Sequence, residues 1–77
     1  MTLKKGWGFW KYEGEEAERN GDFNKALELY SLAIIECPSN EDAFISRGYV
    51  KCDLREFDGA IDDFTEAIEI NPRNKYG

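Results

Sequence analysis

The sequence predicts an all-α protein in which four helices pair into two hairpins and the hairpins stack. Two observations carry this. The chain repeats itself at a shift of 34, with Gly14 falling on Gly48, Phe23 on Phe57, Ala26 on Ala60, Ala33 on Ala67, Ile34 on Ile68, Pro38 on Pro72 and Asn40 on Asn74. Trp10 over Phe44, Leu27 over Ile61 and Tyr30 over Phe64 are conservative matches, so the agreement concentrates at small and apolar positions. Self-similarity at such a period marks a unit that cannot bury its own apolar face and leans on its neighbour. Within each copy the apolar residues recur at spacings of three and four, the signature of a helix with one buried face. The function of such a chain is expected to lie in a surface. The repeat divides it into a lead-in (1–6), a first unit (7–40), a second unit (41–74) and a short tail (75–77).

The first helix of each unit is predicted over 7–20 and 41–54. Trp10, Gly14 and Ala17 form its apolar stripe in the first copy, and Phe44, Gly48 and either Val50 or Lys51 in the second. A glycine inside a helix costs about 1 kcal/mol relative to alanine, so finding one at the same register twice implies close helix approach. Ala26, Ala33, Ala60 and Ala67 offer the matching shallow side, and Trp10, Tyr30, Phe44 and Phe64 fill the space beside it. The second helices, 23–36 and 57–70, carry the cleanest stripes and stop before Pro38 and Pro72, where the residue preceding proline is pushed out of the helical region. Asn20-Gly21-Asp22 supplies a glycine able to close one helix and an aspartate able to cap the next. Ser39-Asn40 followed by Glu41 and Asp42 is a second start signal, with acids at the positive end of the helix dipole.

With 77 residues the chain makes one domain at most, and its 42% hydrophobic and 34% charged residues describe a foldable, soluble chain. A net charge of −6 argues against nucleic acid, because phosphate neutralisation needs clustered lysine and arginine. Positive charge sits mainly at the ends, in Lys4, Lys5, Lys11, Arg73 and Lys75. Glu13, Glu15, Glu16 and Glu18, and then Asp58, Asp62, Asp63, Glu66 and Glu69, read as solvated helix faces, with a site for basic partners as the sharper alternative. No apolar run is long enough to span a bilayer and none of signal-peptide type follows the first residues, so no membrane role and a cytoplasmic or nuclear location are expected. Cys37 and Cys52, near opposite ends of successive helices, are expected to be free thiols. There is no histidine, no metal-ligand cluster and no glycine-rich phosphate loop, so neither an enzyme nor a cofactor is expected.

The helix-turn-helix unit resembles the tetratricopeptide repeat. The resemblance covers 7–74 and is carried by Trp10, Gly14, Ala17, Gly21, Phe23, Ala26, Tyr30, Ala33 and Pro38, and again by Phe44, Gly48, Phe57, Ala60, Phe64, Ala67 and Pro72. The second copy departs from the family at Lys51, where a small or aromatic residue is usual, and at Arg55, where glycine is. The resemblance implies a right-handed α-solenoid stack whose first helices line a concave groove that holds a peptide or helix of a partner protein, the work of a scaffold or adaptor. On this alignment Lys11, Tyr12, Glu15, Glu18, Asp42, Ile45, Ser46, Tyr49 and Asp53 face the groove. Their mixture of tyrosines, an isoleucine and charges suits a peptide with apolar and basic side chains. Co-chaperone members of the family grip a chaperone's C-terminal carboxylate with lysines and asparagines. Here Lys11 matches, but Glu15 and Ser46 stand where asparagines belong and a third repeat is missing.

Two repeats are fewer than the three or so such stacks generally need, and no polar capping helix follows Pro72. Phe57, Ile61, Phe64 and Ile68 are therefore expected to form an exposed interface on the last helix. A chain that is part of a longer array, a homodimer formed through this face, and a monomer that endures the exposure are the three accounts of it. At the other end Trp10 is expected inside, with Trp7 and Phe9 covering the open edge. The alternative is that Trp7 anchors a partner.

Overall fold

The computed structural model describes residues 6–72. The charges at Lys4, Lys5, Arg73 and Lys75, the residues 1–5 of the lead-in, and the tail 75–77 lie outside the described residues. Four helices follow one another: α1 (Trp7–Arg19), α2 (Phe23–Glu36), α3 (Glu41–Asp53) and α4 (Phe57–Ile70). The first helix of each pair ends one residue before its predicted limit, because Asn20 and Leu54 are capping residues. Helices α1 and α2 pack as one hairpin, α3 and α4 as a second, and α2 against α3 joins them. No strand occurs among the described residues, and Cys37 and Cys52 are both free.

The turns inside the two hairpins are built alike. The Asp22 N–H donates to the Ala17 carbonyl at 2.8 Å and the Gly21 N–H to that of Glu18 at 3.0 Å; Glu56 and Arg55 repeat this on Lys51 and Cys52 at 2.7 and 3.0 Å. This paired arrangement satisfies the last carbonyls of a helix and needs a left-handed residue between the two elements. Gly21 adopts it at φ 80°, and Arg55 adopts it at φ 66°. The side chain of Asp22 then accepts from the Lys25 N–H at 3.4 Å to start α2, and Asn40 accepts from Ala43 at 3.1 Å to start α3.

Each hairpin closes on a glycine, but the glycine receives a ring and not the facing alanines. A Cβ on Gly14 would lie 2.6 Å from Tyr30 Cε1, and one on Gly48 would lie 2.7 Å from Phe64 Cε1. Ala26, Ala33, Ala60 and Ala67 are buried, and Ala26 shares the core with Tyr30. The principal core joins Ala17, Ala26, Leu29, Tyr30 and Val50, with Trp10, Phe23, Leu27 and Leu54 packed against it. Val50, fully buried, is the residue of α3 that enters this core; Lys51 turns to a different task. The Tyr30 hydroxyl donates to Glu18 Oε1 at 2.8 Å. Burial first, and then this bond and the Glu18 charge, push the Tyr30 hydroxyl well above its ordinary value.

One acid departs from the solvated-face expectation. Asp63 is 2% exposed and is held by Arg47, whose Nε and Nη2 donate to its two oxygens at 2.9 and 2.8 Å, and by Lys51 Nζ at 3.2 Å. The third arm of Arg47 donates to Ser31 Oγ of α2 at 3.0 Å, so the guanidinium ties α2, α3 and α4 together. In the first copy the equivalent positions are Glu13, Ala17 and Leu29. Ala17 and Leu29 lie in the apolar core of the first hairpin, whereas the second carries charges at the matching positions and its buried acid is compensated twice over.

Replacing Arg55 by glycine removes the left-handed cost of a side chain, about 1–2 kcal/mol, less the entropy glycine adds to the unfolded chain. Arg55→Gly is expected to stabilise the protein by about 1 kcal/mol, read as a higher midpoint in urea at unchanged m-value. Arg47→Ala takes the bidentate partner from a buried carboxylate and leaves it Lys51 alone, which is expected to cost about 2 kcal/mol, whereas Arg47→Met with Lys51→Ala and Asp63→Leu removes the charges together and is expected to lose little. The folded chain holds the Tyr30 proton more tightly than the unfolded chain, whose value is 10.0. Its contribution is thus complete below pH 10 and is lost as pH rises beyond that. Urea midpoints measured from pH 8 to 11.5 are expected to fall less above pH 10 in Tyr30→Phe than in the parent.

Candidate interaction surfaces

The Tyr30 hydroxyl of α2 meets Glu18 of α1 and is acted on by Ser46 of α3, so residues of both first helices converge on one ring of α2. Two of the residues predicted to face a groove, Glu18 and Ser46, are thus brought together around a buried ring. Both are half-buried, and Glu18 is already engaged from below. Lys11 and Glu15 form an i, i+4 ion pair at 2.7 Å, so the only cation among the predicted groove residues is matched by an acid of its own helix. Tyr12 and Tyr49 stand out at 56% and 59% exposure. Tyr49 is braced by an edge-on contact with Phe64 at 5.3 Å between ring centroids, which holds an exposed aromatic at reduced rotamer freedom. Ile45 is half-buried, and Asp42 and Asp53 are exposed.

The second predicted surface divides. Phe57, Ile61 and Ile68 of α4 are exposed, but Phe64 is half-buried and does not join them. Its ring fills the notch at Gly48 and supports Tyr49, because it occupies in α4 the place Tyr30 takes in α2. At the opposite end Trp10 packs on the core and Phe9 stands edge-on to it at 5.2 Å. Trp7 is half-buried.

The Arg47–Asp63–Lys51 cluster was not foreseen from the sequence as a site. Its signal was nonetheless present: Glu13, Ala17 and Leu29 of the first copy stand against Arg47, Lys51 and Asp63 of the second, three changes to charge of complementary sign. The guanidinium also lies over the Phe44 ring, 5.7 Å from its centroid, a placement that favours a cation over an aromatic face. With its donors spent on Asp63 and Ser31, Arg47 serves packing and not ligand capture. Among the described residues no group of acids, cysteines and histidines is arranged to hold a metal ion, and no helix is long and apolar enough to cross a membrane.

No family model matches the chain. Over 62 residues, 80% of its length, it is 34% identical to the small glutamine-rich tetratricopeptide repeat-containing protein 2 of Saccharomyces cerevisiae, of which the match covers 18%. Over another 62-residue alignment it is 32% identical to the Hsp70-Hsp90 organizing protein 2 of Arabidopsis thaliana, covering 11% of that protein. It is also 38% identical over 52 residues to the UDP-N-acetylglucosamine--peptide N-acetylglucosaminyltransferase of Giardia intestinalis, covering 4% of that enzyme. The chain therefore spans less than a fifth of the length of each of these relatives. The 34-residue period, the four helices closed on Gly14 and Gly48, and this likeness along four-fifths of the sequence make the chain a member of the tetratricopeptide-repeat family, with two repeats.

Proposed function

We propose that the chain is a non-enzymatic protein-interaction module whose α1 and α3 faces together bind a peptide or helix of a partner protein with both apolar and basic side chains. The observation that carries this reading is the pair Tyr12 and Tyr49, large aromatics left open on α1 and α3 while Trp10 and Phe44 of the same helices are packed inward. Tyrosine is a residue of choice at binding hot spots, because it offers wide contact area and a polar tip with few rotors to freeze. Around the two rings, Glu15, Glu18, Asp42 and Asp53 outnumber Lys11, and Lys11 is bound to Glu15. The net potential favours a cationic ligand. A relative named for organising Hsp70 and Hsp90 supports an adaptor role, and a cytoplasmic location accords with it. The acids lie along helix faces with no base and nucleophile held together, which supports a binding role over hydrolysis.

The same relative favours a second reading, in which the groove takes the acidic C-terminal tail of a chaperone. The electrostatics weigh against it, since the one matching cation is paired at 2.7 Å and carboxylates surround it. The two readings separate cleanly on purified protein and the dominant partner recovered from cells. Tyr49→Ala is expected to weaken binding at least tenfold, about 1.4 kcal/mol, while Lys11→Ala leaves a basic ligand bound as tightly or more so. Loss of binding in Lys11→Ala alone assigns an acidic tail, and unchanged affinity in both variants removes the groove as the site. A chaperone C-terminal peptide is expected to cause no chemical-shift change at millimolar concentration.

A further inference from the structure

Helix α4 leaves open an apolar stripe that α2 has covered. Phe57, Ile61 and Ile68 are 51%, 60% and 45% exposed, whereas their counterparts one repeat earlier, Phe23, Leu27 and Ile34, are half-buried. Phe23 and Leu27 pack against the core that contains Val50 of α3. The molecule thus contains its own example of a helix docked on this kind of face. In that example α3 brings an apolar residue, Val50, and one turn before it a cation, Arg47, which reaches Ser31 of α2. Ser31 belongs to the row Asn24, Glu28, Ser31 and Ile35, which runs beside the apolar stripe, each residue one position on and so about 100° further round the helix. On α4 the same row reads Asp58, Asp62, Thr65 and Glu69, all exposed, and no lysine or arginine occurs from residue 57 to residue 70. Among the described residues only Asp63 of the five α4 acids is held by cations.

We propose that the exposed face of α4 is a docking surface for a cationic amphipathic helix of a partner protein. The helix lays an apolar stripe on Phe57, Ile61 and Ile68 and sets lysines or arginines against Asp58, Asp62 and Glu69. This surface is carried by α4, whereas Tyr12 and Tyr49 belong to α1 and α3, so it offers the module a second contact. A second copy of the chain is the poorer occupant. Where α3 presents Arg47 and Val50 to α2, the equivalent residues of α1 are Glu13 and Glu16, so a head-to-tail contact would set acid against acid. A face-to-face contact of two α4 helices would do the same.

The test uses a helix-stabilised synthetic peptide of 14 residues with leucines at i, i+3, i+4 and i+7 and lysines along one edge, beside a control with every lysine replaced by glutamate. The lysine peptide is expected to bind saturably, to perturb the amides of α4, and to lose affinity as salt rises. Binding is expected to fall at least tenfold in Ile61→Asp, a change at an exposed position, and at least tenfold for the glutamate peptide. The paired reversal Asp58→Lys and Asp62→Lys keeps the apolar stripe and is expected to invert the preference toward the glutamate peptide, which decides the matter should Ile61→Asp fail to fold. Equal binding of the two peptides, binding of neither, or perturbations confined to α1 would overturn the proposal. So would a concentration-dependent dimer in sedimentation velocity that Ile61→Asp abolishes, which would assign the face to a second copy.

Discussion

The structure depends on one steric exchange made twice: a helix gives up its side chain so that the ring of its partner can lie against the bare backbone. Tyr30 rests on Gly14 and Phe64 on Gly48, at distances that no Cβ could share. A mid-helix glycine weakens α1 and α3 as isolated helices, so neither is stable without its hairpin partner. What each hairpin gains is a large ring sunk at the crossing, where its contacts with both helices add up. Ala26, Ala33, Ala60 and Ala67 of the second helices are buried as well, small side chains that permit close packing.

From that common plan the two copies diverge where they meet other elements. The first hairpin contributes Ala17, Leu29 and Tyr30 to an apolar core that Val50 completes from α3. The second places Lys51 and Asp63 where the first has Ala17 and Leu29, adds Arg47, and builds an ion cluster with a hydrogen bond to Ser31. A buried pair of this kind is weak evidence for added stability, since its desolvation offsets most of its attraction. Its geometry is more selective than an oily contact, because a bidentate guanidinium–carboxylate bond holds only one register of α3 on α4. The cluster also explains how Lys51, out of place by the pattern of the family, is accommodated: its charge serves Asp63 and its stem passes close to Gly59.

Electrostatics give the remaining surface its character. Most of the charge is acidic, and the cations in α1 to α3 for which bonds are formed are spent inside the molecule: Lys11 on Glu15, Arg19 on Glu16, Arg47 and Lys51 on Asp63. Apolar groups therefore reach solvent in a negative setting, both at the paired tyrosines and along α4. In the proposed reading, Coulombic attraction of this sort would speed encounter and select a cationic partner, while the exposed rings and isoleucines would supply the area that holds it.

The sequence by itself determined the helical pairs, the limits of α2 and α4, the caps at Asp22 and Asn40, and a glycine able to close the first turn at Gly21. These are local matters of dihedral preference and period, settled by residues within about one helical turn of one another. Only the tertiary structure decided that Val50 and not Lys51 enters the core, that Phe64 turns toward Gly48 and Tyr49 instead of the open stripe, and that Asp63 leaves the solvated acidic row for a buried ion cluster. The last two of those outcomes turn on partners far along the chain, Phe64 on Gly48 and Asp63 on Arg47, each 16 residues away. Periodicity says which face of a helix a residue occupies; what waits across the gap is set by how the hairpins come together.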